Sequence, residues 1–220
     1  MDATIFLFLL QDGIINGAVY ALVAIALVLV FAVTRVIFVP QGEFVAFAAL
    51  TVAALENGQM PSTPWLLLAL GIMAAVAEVV WHFREINLRR LIRIMLLDLV
   101  LPIALLLLTQ ALAPLKLGQA VNILLAVALI TPMGPMLYRI AFEPLAHSSV
   151  LVLLMAAFGV HFSLMGLGLL LFGPEGIGTK PLSDASFSLG SLVVTGQSVA
   201  VLIVTAALLI LFALLFGRTL

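Results

Sequence analysis

The segment Val39-Pro40-Gln41-Gly42-Glu43-Phe44 places an imide, an amide, a glycine and a carboxylate between two long apolar runs. A carboxylate in such surroundings is costly unless it faces a cavity or a partner. A helix broken at Pro40 would also expose backbone groups to a polar path. The bland alternative, an interfacial turn with Glu43 among headgroups, is equally compatible with the composition. Glu78 and Asp98 are the other carboxylates inside apolar stretches. Glu78 is expected to snorkel to an interface. Asp98 follows an arginine cluster and can pair with Arg93 or Arg90. Three histidines, His82, His147 and His161, are scattered. His161 lies mid-span, where it could relay protons or, more simply, be satisfied by a neighbouring helix. No HExxH, Walker lysine loop, GxSxG or dinucleotide fingerprint occurs, so no catalytic residues and no enzyme activity are expected. With no cysteine there is no thiolate metal or redox site, and no metal site is expected.

The elements that must position these groups are set by the solvent. Of 220 residues, 65% are hydrophobic and only 9% are charged, against roughly 45–50% apolar and about 25% charged in soluble domains. Mean hydropathy is +1.36. A water-soluble fold would have to expose that excess, whereas a bilayer accepts it. The net charge of −1 gives no electrostatic case for nucleic acid. The N-terminus lacks a positive n-region, so the first apolar stretch reads as a retained helix.

About 20 apolar residues cross the hydrocarbon. Spans are expected at Gly13–Val39, Gly42–Leu55, Trp65–Trp81, Met95–Ala113, Ala120–Leu137, Val150–Phe172 and Ser198–Phe216. Gly42–Leu55 is short and either spans or re-enters. The fold class is therefore an all-α, polytopic transmembrane helical bundle of about seven spans. The segments 82–93 and 138–149 are expected to be polar loops. Phe187, Leu189, Leu192 and Val194 among Ser, Gly and Thr read as a small extracytoplasmic hairpin. Four arginines, Arg84, Arg89, Arg90 and Arg93, put the 82–93 loop in the cytoplasm, and contact with anionic lipid is a modest addition. Alternation then places the N-terminus outside and Arg218 inside. A re-entrant Gly42–Leu55 would move the N-terminus inside. No internal repeat is visible. Small residues recur at Gly13, Gly17 and Ala21, at Gly42 and Ala46, and at Gly159, Ser163, Gly166 and Gly168. They allow close helix approach, and the sharper reading of them is a helix lining a narrow path.

Asp12-Gly13-Ile14-Ile15-Asn16-Gly17-Ala18-Val19-Tyr20-Ala21-Leu22 resembles the first core helix of the branched-chain amino acid ABC transporter permeases. Arg35 through Phe44 resembles that family's Ile-Asn-Phe-Ala-His-Gly-Glu-Phe signature, with Gly42-Glu43-Phe44 intact. Phe38 stands at the usual Asn, and Val39-Pro40-Gln41 stands where Phe-Ala-His is usual. Tyr138-Arg139 through Phe142-Glu143-Pro144-Leu145 is similar to its Tyr-Arg-Pro-Leu loop. Gly159-Val160-His161-Phe162-Ser163-Leu164 and Leu171-Phe172-Gly173 are similar to the following span and its exit. Order and spacing, more than any single motif, make the likeness specific.

The resemblance implies a single permease domain over 1–220 in a bacterial inner membrane, importing branched-chain or related small amino acids, amides or urea. Gly13, Gly17, Tyr20, Gln41, Gly42, Glu43 and Phe44 would line or shape the path, and Gly217 and Arg218 would begin the ATPase contact. The implied partners are a second permease subunit (a homo- or heterodimer), two cytoplasmic ABC ATPases and a periplasmic solute-binding protein. ATP is used by the ATPases, and no cofactor is expected in this chain. Two departures follow. Residues 82–119 look like an inserted cytoplasmic loop plus an extra hairpin, and the basic coupling region that follows Gly217-Arg218 in the family is read as missing. A membrane scaffold or assembly subunit without its own pathway is the alternative; an intramembrane enzyme would need more converging polar residues.

Overall fold

A computed structural model describes residues 3–82, 87–181, 185–189 and 192–217. The chain forms two compact units, one from Met1–Thr34 with Lys180–Leu220 and one from Arg35–Thr179. Among the described residues are six helical runs long and apolar enough to cross a membrane, which makes the chain a multi-pass membrane protein.

In the first unit α1 (Ala3–Thr34) packs beside α9 (Gly196–Gly217). Both are apolar all round, as helices facing lipid are. Strands β1 (Ser186–Leu189) and β2 (Leu192–Thr195) pair antiparallel, with Ser186 opposite Thr195 and Phe187 opposite Val194. β2 runs directly into α9. There the Thr195 hydroxyl accepts from the Ser198 amide at 3.3 Å, satisfying one free N–H of the helix start.

In the second unit the order is α2 (Gln41–Glu56), α3 (Thr63–Trp81), α4 (Leu88–Ile94), α5 (Leu101–Leu112), α6 (Gln119–Ile130), α7 (Met133–Leu137) and α8 (Val150–Phe172). α4 and α5 belong to one run, Leu88–Leu115, joined by a π-helical turn at Met95–Val100. α6 and α7 belong to another, Gln119–Leu145, which contains a second π turn at Tyr138–Phe142. α3 is the hub: it packs on the first π turn, on α5, α6 and α7, and on the second π turn. Leu67, Leu70 and Ala74 of α3 meet Leu129, Met133 and Met136 in the main core. α2 packs on α6 and α8. Gly173 ends α8 at φ +82, a left-handed value that glycine adopts without strain.

Several boundaries differ from expectation. α1 ends at Thr34, ahead of Val39, because Arg35 turns left-handed at φ +58. The arginine-rich segment is helical from Leu88, since the Asn87 side chain caps it by accepting from the Arg90 amide at 3.1 Å. The expected loop after Tyr138 is helical as far as Leu145. α2 has 16 residues, about 24 Å, which is short of the roughly 30 Å hydrocarbon core.

Candidate functional site

The residues leading into α2 fold back on themselves. The Val39 amide donates to the Ile37 carbonyl at 2.8 Å, and the Glu43 amide donates to the Pro40 carbonyl at 3.1 Å. Proline at the cap position has no N–H to lose and fixes φ near the helical value. Val36 is buried against Phe142, Leu153 and Ala157. The Phe38 ring meets Phe44 and Phe142 edge-on, with centroids 5.4 Å and 6.1 Å away, a favoured aromatic geometry. The segment 35–40 is therefore anchored to the second π turn and to α8.

That anchoring brings Glu43 to His161. Nδ1 of His161 on α8 lies 2.9 Å from Oε1 of Glu43 on α2, and both side chains are largely buried. Neither His161 Nδ1 nor Glu43 Oε2 makes a directed hydrogen bond among the described residues. The contact is one of proximity, with spare hydrogen-bonding capacity on both groups. Glu43 also borders a cavity of about 200 Å³ between α2 and α8, which Glu175 shares. On another side of α8, Gly159 and Ser163 line a second cavity of about 490 Å³, walled by Leu66, Leu70, Ile140 and Leu167.

Gln41, Gly42, Glu43 and Phe44 form the first turn of α2. A side chain added at Gly42 would meet open space, while one added at Gly134 would meet the Phe44 ring at van der Waals distance. Gly13, Gly17 and Tyr20 lie on α1, with open space beside both glycines and Tyr20 exposed. Gly217 ends α9, and Arg218 lies outside the described residues.

The other carboxylates are paired differently from expectation. Asp98 is wholly buried, and both its oxygens are held by the Arg139 guanidinium in a bidentate pair. Arg90 pairs with Glu78 at 2.8 Å instead. Asp98, on the π turn, is held by Arg139 of the second π turn, where Arg93 or Arg90 was expected. Both members of the Asp98–Arg139 pair sit on π-helical turns, which re-aim side chains relative to a regular helix and recur at functional sites. Gly71 makes this possible: a Cβ there would collide with the Asp98 carbonyl oxygen and come within 3.1 Å of Pro102.

Comparison with known proteins finds no matching family model, no matching curated protein and no matching solved structure.

Proposed function

We propose that this chain is the integral membrane permease subunit of an ATP-binding-cassette importer in a bacterial inner membrane. The single observation that carries this reading is the convergence at Glu43–His161. Three segments that resemble the permease family, Arg35–Phe44, Tyr138–Leu145 and Gly159–Leu164, meet around that contact and the adjoining Phe38–Phe142 cluster. Distant segments that carry a shared resemblance and also share a site support a common role. In this reading Gln41 to Phe44 border the solute path, and Glu43 with His161 supplies its polar point.

The cavity that Glu43 borders is otherwise walled mainly by apolar side chains, among them Phe47, Leu50, Leu164 and Leu169, which suit a branched side chain better than urea and favour branched-chain amino acids among the related solutes. Charge asymmetry supports seven crossings, with α2 as the short one, the arginine-bearing end of α4 in the cytoplasm, and the β1–β2 hairpin and N-terminus outside. The partners are a second permease subunit, two ATPases that use the ATP and meet the chain near Gly217 and Arg218, and a periplasmic binding protein.

The test is uptake of radiolabelled leucine, isoleucine and urea in a strain lacking its own permease, with the chain expressed beside its genomic neighbours. Leucine uptake is expected, and Gly42→Leu, which fills the open face of α2, is expected to abolish it at unchanged expression. A chain that recovers no nucleotide-binding partner on purification and supports no uptake would instead be a membrane scaffold.

A further inference from the structure

A cleft of about 590 Å³ opens between the end of α3, the start of α4 and the second π turn. Arg89, Arg90, Arg93 and Arg139 line it, against Glu78 and Glu143. Two of the arginines are committed: Arg90 to Glu78, and Arg139 to Asp98, which lies behind it. Arg89 and Arg93 are exposed and make no ion pair among the described residues. They stand four apart on α4, so they share one helix face. The fixed pairs hold the walls of the cleft, while the guanidiniums of Arg89 and Arg93, unpaired among the described residues, stand at its edge. Guanidinium forks match the oxygens of a phosphate group.

The surroundings select how that phosphate arrives. Leu91, Ile92, Met95 and Leu96 interleave with and follow the two arginines, and each is 40–52% exposed. Trp81, one turn beyond Glu78, is also exposed, and tryptophan favours the headgroup level of a bilayer. A ligand that satisfies both features has an anionic phosphate head and adjacent acyl chains. We propose that this cleft is a binding site for the phosphate headgroup of an anionic phospholipid. The assignment stands apart from the transport reading and concerns a different face of the fold from Glu43.

The experiment is native mass spectrometry of the full-length purified protein with phosphatidylglycerol or phosphatidylcholine of identical acyl chains, and with glycerol phosphate as a soluble competitor. Phosphatidylglycerol is expected to bind more tightly than phosphatidylcholine. Arg93→Gln is expected to weaken it about five-fold, and Arg89→Gln with Arg93→Gln roughly thirty-fold, at the usual worth of a cation near an anionic surface. Both side chains are exposed, so the fold tolerates their loss, and Lys116→Gln serves as the charge control with unchanged binding. Equal retention of the two lipids would overturn the proposal, as would wild-type affinity in the double variant. Displacement by an equal concentration of glycerol phosphate would show that the site takes a soluble anion. Loss of a copurifying protein from the double variant, with lipid binding intact, would mark a protein contact instead.

Discussion

Asp98 and Arg139 show how a single ionic contact constrains this fold. A wholly buried carboxylate is tolerated only when it is paired and hydrogen-bonded, and the guanidinium meets both of its oxygens. Breaking such a pair from one side commonly costs about 3–5 kcal/mol. The arginine side chain here keeps 23% exposure, so it can turn toward water, and the cost of Asp98→Ala should fall near the lower bound. Asp98→Ala combined with Arg139→Met removes both charges and should recover much of that loss. Unfolding in mixed detergent micelles, followed by circular dichroism, measures both; a double variant as unstable as the single would show that the charges are not the cause. This pairing was not legible in the sequence. Arg93 and Arg90 are nearer along the chain, and only the π turns, which leave no clear sequence signal, direct Asp98 to Arg139. The carboxylate at Glu43 was legible as an anomaly, because Pro40 and Gly42 frame it between apolar runs. Its partner was not, since nothing local links it to His161.

At the scale of elements, α3 carries the packing of the second unit, and Gly71 sets how closely α3 approaches the Asp98 turn. Small residues permit such backbone contact between membrane helices. Gly71→Ala introduces a methyl group against the Asp98 carbonyl and Pro102 and should destabilise by about 1–3 kcal/mol, as overpacking does. Gly166→Ala meets open space and should change stability by less than about 0.5 kcal/mol. Thermal aggregation midpoints of the two variants separate a contact from a generic glycine effect; equal midpoints would contradict this account of Gly71. The sequence marked Gly159, Ser163, Gly166 and Gly168 as a packing stripe and passed over Gly71. A lone glycine in an apolar run has no periodicity to betray it, whereas the long runs themselves are unmistakable. Trp65–Trp81 and Val150–Phe172 appear in the structure within two residues of their expected bounds. Two of the ends that moved, at Thr34 and Leu88, were decided by a left-handed residue and a side-chain cap.

The chain has no cysteine, so single cysteines can be introduced without a background to remove. The run Leu88–Leu115 contains 28 residues, about 42 Å of helix, enough to cross the bilayer. Cysteines at Arg89 and Lys116 should therefore react with an impermeant maleimide from opposite sides, Lys116 from outside, and labelling from one side alone would contradict the crossing. Membrane character follows from composition, because bilayer insertion is a bulk property of apolar length. The proposed solute path does not, because it depends on which distant side chains meet. The most direct measurement is leucine uptake by Glu43→Ala, His161→Ala and the double variant, each at matched membrane abundance. Each single variant is expected to lose most uptake, and the double variant to be no worse than either, since the two groups act as one unit. Full uptake in either single variant would contradict the claim that the Glu43–His161 contact lies at the working centre of this protein.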